Sequence, residues 1–493
     1  MEYEVVIGME THIELDTASK MFCSCSANFF GVEPNMHVCP TCLGMPGALP
    51  VINKAAVEYA IMIGLALNCT VAPSTFWERK SYWYPDLPKG YQITQYQYPS
   101  NHDGYIDVDV RDLSSGNFTE ESYTHRIRIR RAHLEEDTGK LVHVGRSSLV
   151  DYNRSGVPLL EIVTEADIHS GDEAYAYLSA LRNIVRYLGV STGDMEKGAM
   201  RCEPNLSLRP KGSDQFGTKV EIKNLNSLRA VRDAIAYEVQ RHTKVLNAGG
   251  QIQQVTMGWD DVKGVTVVQR IKEDAHDYRY FPEPDLPPLD VDDAWLNEIR
   301  GRMTELPMQK QARYRQTLGL SVYDAVVLTA DHGVAAWFER VVQAIGAGKA
   351  KLASNWVTTE VFRLMKAAGI SNADIEQIRV TPEQLGELIG LVDSGAINNN
   401  TAKQVFEEMF ASGTSARAIV EAKGLSQISD TSALAQIVDE VLAANPVQVQ
   451  NYLAGQEKLF GFLVGQAMKA TKGKGNAPLI NQLLREGLER QRA

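Results

Sequence analysis

The chain changes its hydrophobic rhythm part-way along. Ahead of the stretch "FPEPDLPPLDVDD" at 281–293, runs of period-two alternation such as "GYIDVDV" (104–110) and "HRIRIRR" (125–131) interleave with runs of helical spacing. Alternation sends successive side chains to opposite faces, so these two runs predict half-buried strands. Leu178, Leu181, Val185 and Leu188 recur at helical intervals and stop at Gly189. Leu228, Val231, Ile235 and Val239 do the same ahead of Gly249 and Gly250. The stretch from 281 holds Pro282, Pro284, Pro287 and Pro288, which no helix or central strand accommodates, and it predicts a linker. From Asp293 onward the pattern is helical with almost no strand signal. "SNWVTTEVFRLMKAAG" and "TPEQLGELIGLVDSG" predict helices closed by glycine. The expectation is an α+β protein: a mixed cradle over 1–292, a helical domain over 293–405 and a small helical tail over 406–493.

A chain of 493 residues is too long for one hydrophobic core, which agrees with several domains. No run approaches the roughly 18 apolar residues of a membrane span; the most apolar, "AAVEYAIMIGLALNC", is short and carries Glu58. The opening "MEYEVV" is acidic where a signal peptide needs basic residues, so a cytoplasmic location is expected. A net charge of −11 argues against a general nucleic-acid coat. Between Lys469 and Ala493, however, six Lys or Arg face only Glu486 and Glu489. That local excess suits either a solvated helix end or a surface for nucleic acid.

Chemistry enters with "GMETHIELDTASKMFCSC" at 8–25. It opens like a buried strand and places Glu10, His12 and Glu14 at alternate positions, on one side. Cys23 and Cys25 follow, then Cys39 and Cys42 with thirteen residues between the pairs: one C-x-C and one C-x-x-C. Four thiolates so spaced suit tetrahedral Zn²⁺, against core thiols or a redox pair. Cys69 and Cys202 stand alone and read as core. "HLEEDTGK" adds His133, Glu135, Glu136 and Asp137, and "PLLEIVTEAD" adds Glu161 within an apolar run, together with Glu165 and Asp167. With Glu10 and His12 these form an oxygen-rich set with one nitrogen, suited to Mg²⁺ or Mn²⁺. Ion pairs to the arginines at 126–131 would explain the same residues. "RKSYWYPDLPKGYQITQYQYP" interleaves Arg79, Lys80 and Lys89 with Tyr82, Trp83, Tyr84 and Tyr91. Such a loop suits a nucleotide or a single-stranded RNA end, or simply packs its rings on the core. No phosphate-binding G-x-x-x-x-G-K-[ST] occurs, "IGAGKAK" at 345–351 lacking two of its parts, so any use of ATP runs through another site.

In order along the chain, "GMETHIEL", "CPTCLGMPGALPVIN", "SYWYPDLPKGYQITQY", "HLEEDTGKL", "DYNRSGVPLLEIVTEAD", "MRCEPNLSLRP", "EIKNLNSLRAV" and "DYRYFPEPDLPP" resemble the B subunit of the tRNA-dependent amidotransferases, and "GFLVGQAMKATKGKGNAPLINQLL" resembles that family's tail domain. The resemblance implies a ligase subunit working with an amidase, the A subunit, and a small protein, the C subunit, and in passing contact with the mischarging synthetase. ATP would phosphorylate the side-chain carboxylate of Glu-tRNA(Gln) or Asp-tRNA(Asn), and ammonia from the amidase would displace phosphate. A non-catalytic tRNA scaffold of the same complex is the alternative. Carried to matching positions, the family pattern implies Mg²⁺ at Glu10, His12, Glu136 and Glu161, with Glu135 and Asp137 supporting the ligands. Lys80 and Arg201 are expected to neutralise the phosphoryl group, and Cys23, Cys25, Cys39 and Cys42 to hold a structural zinc found in part of the family. The stretch before "DYRYFPEPD" departs from the family's usual sequence, which touches one loop rather than the assignment. A sister type carries a large insertion after the first module; here Pro288 runs straight into helices.

Overall fold

The computed structural model describes residues 2–112, 119, 121–271, 278–425, 431–471 and 475–492. The departing loop immediately before Asp277 and that residue itself, Lys472 and Lys474 of the basic tail, and the Arg492 side chain lie outside what is described. Two compact units result, Met1–Gln309 and Lys310–Ala493.

Among the described residues, the first unit is built on a mixed sheet of twelve strands. Tyr3–Glu14 runs through its middle, antiparallel to Met200–Pro210 on one side and to Pro158–Thr164 on the other. Pro158–Thr164 in turn pairs with the long strand Tyr123–Glu136, which also pairs with Asn101–Val110 and touches Tyr91–Thr94. Both alternating runs noted above are therefore strands. One face of the central strands is apolar: Met9, Ile13, Leu134, Leu160, Ile162, Met200 and Leu206 are almost wholly buried. They share a core with the helices Lys54–Ala66, Gly171–Tyr187 and Leu228–Asn247 through Ile63, Leu178, Leu181, Val231 and Ile235. The helices start where the sequence offers caps: the Ser170 and Ser227 hydroxyls accept from the backbone N–H groups of Glu173 and Ala230. Gly249, at φ 76°, supplies the left-handed turn that ends the last of them.

The proline-rich segment is not a free linker. Phe281–Pro282 pairs with Glu78–Arg79, and Leu289–Asp290 with Ser74–Thr75, so it edges the first unit. Proline is tolerated there because an edge strand leaves N–H positions unused. Arg79 fastens it further, donating to Glu283 at 2.7 and 2.8 Å.

The second unit is entirely helical among the described residues. One core gathers Trp337, Phe338, Trp356, Val361, Leu388 and Phe406; a separate one gathers Leu434, Val438, Leu463, Ile480 and Leu484. Pro382–Asp393 begins with a capping box between Thr381 and Gln384, and the expected glycine stops are Gly369 and Gly395, both at φ 70°. No described helix is long and apolar enough to cross a membrane.

Candidate active site

The face of the sheet opposite the three helices is polar because of strand register. His12 lies directly between Arg201 and Glu161, and Glu161 lies opposite His133. Glu10 lies opposite Glu203. Directly opposed residues project to the same face, so three separate segments deliver one cluster. A cleft of about 860 Å³ opens over it, lined by His12, Lys80, Glu135, Arg201, Glu203 and Lys223 among others.

Ligand atoms of His12, Glu135 and Glu161 lie within 4.8 Å of one another. His12 Nε2 is 3.4 Å from Glu161 Oε2, while His133 Nε2 is 3.4 Å from Glu135 Oε1 and 3.9 Å from Glu161 Oε2. Thr94 and Gln92 donate to Glu135 at 2.9 and 3.1 Å. Burial penalises the charge on Glu161, yet His133, His12 and Lys80 outweigh it and hold this carboxyl below its usual range. Burial likewise opposes charging His12, and Glu161 overcomes it, raising the imidazole pKa. Lys80 is also desolvated, but Glu135, Tyr280 and Glu161 keep its pKa raised. It makes no ion pair among the described residues, its Nζ lying 5.1 Å from the centre of the Tyr278 ring. A lysine held charged, beside carboxylates it does not contact, is available to an incoming anion.

Glu10 belongs to an adjoining group with Glu203 and Glu221, whose ligand atoms also lie within 4.8 Å. Asn205 donates to Glu10 at 3.1 Å, and Lys223 bridges Glu203 and Glu221 at 2.8 and 3.5 Å. Burial first, then Glu161 and Glu203, raises the Glu10 pKa. Arg201 is committed elsewhere, donating to Asp137 at 2.7 Å. Asp137, held down to about 2 against the cost of burial by Arg201 and Arg154, stands beside Glu14, which burial and Asp137 push up to about 8.

Glu136 is not brought to this cluster. It follows Glu135 on one strand and so points to the opposite face. There it accepts from Lys89 and from the backbone N–H of Ile93, in a cavity of about 270 Å³. The ion-pair reading applies to Asp167, which accepts from Arg128 at 2.6 and 2.9 Å. Arg131 only grazes Glu161 at 3.9 Å. Glu203 and Glu221 escaped the sequence reading, although "MRCEPNLSLRP" alternates with Arg201, Glu203 and Asn205 on one side.

The thiols of Cys23, Cys25, Cys39 and Cys42 also converge within 4.8 Å. Tetrahedral zinc–thiolate bonds of about 2.3 Å place sulfurs roughly 3.8 Å apart, so the donor set fits Zn²⁺. A turn presents the second pair, the Cys39 N–H pointing at Cys42 Sγ at 3.2 Å. A hydrogen bond from Cys23, aided by that N–H, lowers Cys42 to about 5 despite burial, and the Cys23 thiol is raised in exchange. Cys69 and Cys202 are buried and apart.

The aromatic loop lines the cleft through Tyr82 and Tyr96, and Tyr278 from the segment "DYRYFPEPDLPP" joins them. Tyr96 stacks on Tyr280 at 4.9 Å, with the Arg131 guanidinium 4.3 Å from the Tyr96 ring centre. Trp83 is 86% exposed, so its ring is not part of the core.

Two family models match the chain: the GatB/GatE catalytic domain over residues 5–297 and the GatB domain over residues 336–488. A Moorella thermoacetica protein, named as the B subunit of aspartyl/glutamyl-tRNA(Asn/Gln) amidotransferase, is 53% identical over 492 residues, covering 99% of this chain and 100% of the relative. Proteins of the same name from Caldicellulosiruptor saccharolyticus and Persephonella marina are 52% and 51% identical, with the same coverage. The first model covers every residue that lines the polar cleft, and the relatives match end to end. The chain belongs to the GatB family.

Proposed function

We propose that the His12–Glu135–Glu161 cleft is the kinase centre of a tRNA-dependent amidotransferase. As a GatB-family chain, the protein is a subunit of such a ligase, and the match to a catalytic-domain model favours that reading over a non-catalytic scaffold. The substrates are Glu-tRNA(Gln), Asp-tRNA(Asn) or both, as the relatives' names suggest. The observation that carries the reading is the convergence of one imidazole and two carboxylates from three strands, facing an uncommitted Lys80.

A carboxylate is a poor acyl donor because oxide would have to leave; phosphorylation by ATP gives it a leaving group. Two carboxylates and one imidazole form a donor set that suits Mg²⁺, with His12, Glu135 and Glu161 as ligands and Glu10 adjoining. Held by these residues, Mg²⁺ would supply charge neutralisation for the phosphates. Lys80, which lines the same cleft, neutralises the transferring group. Arg201, tied to Asp137, orients that carboxylate rather than phosphate. The tyrosines of the cleft give a base a surface to stack on. The four cysteines hold a structural zinc, since a Cys₄ site leaves no open position for substrate. The amidase partner, the A subunit, supplies ammonia; the small C subunit makes up a cytoplasmic heterotrimer, and the mischarging synthetase is a transient partner. The test is amidation of both misacylated tRNAs by the chain assembled with the amidase and the small third protein, with and without ATP and Mg²⁺. Lack of ATP-dependent product on either tRNA would overturn the reading.

A further inference from the structure

Lys20 is fully buried and among the largest side chains in that condition. Burying an ammonium ion costs several kcal/mol unless a charge meets it. Its Nζ donates to the carbonyl oxygens of His37 at 2.7 Å and Tyr152 at 3.1 Å, and lies 3.8 Å from Cys42 Sγ. The two carbonyls use two of its three N–H groups and bring no charge. The third group faces sulfur. Four thiolates around Zn²⁺ would leave a net charge of about −2, an excess that is costly to bury without a cation close by.

We propose that Lys20 is a positioning residue of the zinc centre: its buried ammonium offsets the tetrathiolate charge and ties the Cys42 side of the knuckle to the Tyr152 segment. This rests on the zinc reading above. The connections extend beyond one contact. His37 leads into Cys39, so Lys20 holds the knuckle by backbone and by sulfur. The backbone N–H of Met21, the next residue, donates to Gly156 O at 2.7 Å. At Gly156 (φ 87°) a side-chain Cβ would lie 3.4 Å from Lys20 Cδ, 3.7 Å from Cys42 Cβ and 3.8 Å from Glu136 Oε2. Lys20, Cys42 and the Glu136 carboxylate thus close around one glycine, and together with Cys23 they line the same 270 Å³ cavity. Zinc held in this frame braces a wall of that cavity.

A hydrogen bond to a bound thiolate acts as carboxylate partners do on bound histidines, and removing such partners costs about 10–100-fold in metal affinity. The experiment titrates zinc into the full-length chain against a chromophoric chelator, for the wild type, Lys20→Met and Lys20→Gln. Met keeps the length of the side chain; Gln keeps donors for His37 and Tyr152 without the charge, and decides the matter where Lys20→Met does not fold. Both variants are expected to bind zinc about 10–100-fold more weakly. Their Co²⁺ forms should show sulfur-to-metal absorption moved to longer wavelength, because the thiolate loses a donor that stabilises its electrons. Wild-type affinity and an unshifted Co²⁺ spectrum in the variants would make Lys20 a packing residue only and overturn the proposal. A wild-type chain that binds no zinc would instead overturn the zinc reading itself, and this proposal with it.

Discussion

Glu135 and Glu136 are neighbours on one strand and serve opposite faces of the sheet. Glu135 lies with His12 and Glu161 in the large cleft, whereas Glu136 pairs with Lys89 in the cavity behind. This arrangement makes the two carboxylates separable by experiment. Glu135→Gln is expected to abolish Mn²⁺ binding at the cleft and to slow phosphoryl transfer by about 10²-fold or more, because loss of a metal clamp costs several kcal/mol. Glu136→Gln should leave Mn²⁺ affinity unchanged. Electron paramagnetic resonance titration with Mn²⁺ checks both; equal losses would place Glu136 in the metal set after all.

The thiol cluster predicts about one zinc per chain after dialysis against a weak chelator. Cys39→Ser should lose that zinc and lower the unfolding temperature of the first unit, because structural zinc binding is coupled to folding. Elemental analysis paired with calorimetry is the check, and unchanged unfolding in a zinc-free variant would refute a structural role.

Glu238 supplies a pH prediction well away from either cluster. It is fully buried on the helix Leu228–Asn247 and accepts from Arg241 at 2.7 and 2.8 Å and from Thr266 at 2.5 Å, with His242 3.1 Å away. Burial raises its pKa, but these partners overcome it and hold the carboxyl down to about 2 from an ordinary 4.5. A depressed folded-state pKa contributes stability that is present above the unfolded value and disappears as pH falls toward the folded one. The contribution is on the order of 3 kcal/mol. Glu238→Gln should therefore destabilise the first unit at pH 7, and its deficit relative to wild type should shrink between pH 4.5 and 2. Chemical denaturation across that range measures it, and a deficit independent of pH would contradict the assignment.

Much of this was legible in the sequence because strand alternation is a two-residue code. "GMETHIEL" declared that Glu10, His12 and Glu14 share a face, and the register with Glu161 and Arg201 gave that face its partners. The same code applied to "HLEEDTGK" separates Glu135 from Glu136, but the run gives no sign that Tyr123–Glu136 extends so far. Which of two adjacent carboxylates enters the cleft depends on where a strand stops, and that is decided by pairing with distant residues. The proline-rich edge reads as a linker in the sequence for a related reason: whether proline marks a linker or an edge depends on what lies alongside. Lys20 carried no periodic signal at all, and only its burial beside Cys42 reveals it.

The helical core built on Leu434, Val438, Leu463 and Ile480 is separate from the core around Trp337 and Phe406, so the chain should tolerate truncation after Leu425. The whole basic cluster is lost with it: Lys469, Arg485 and Arg490 are described there, with Arg490 partly offset by Asp439 at 3.3 Å. If this segment contacts tRNA phosphates, the truncated complex should bind tRNA more weakly and with a shallower salt dependence, since fewer counterions are released. Filter binding over a range of salt concentrations checks this. An unchanged slope would leave the charge as a solvated helix end.

The central claim is that the His12–Glu135–Glu161 cleft activates a carboxylate carried on tRNA. The most direct measurement supplies the assembled complex with γ-labelled ATP and Glu-tRNA(Gln), or Asp-tRNA(Asn), but no glutamine or ammonia. Without a nucleophile, the account predicts Mg²⁺-dependent label on the aminoacyl-tRNA for the wild type and none for Glu161→Gln, with glutamine hydrolysis by the amidase partner assayed separately as a control for an intact assembly. Label transferred at the wild-type rate by Glu161→Gln would contradict it.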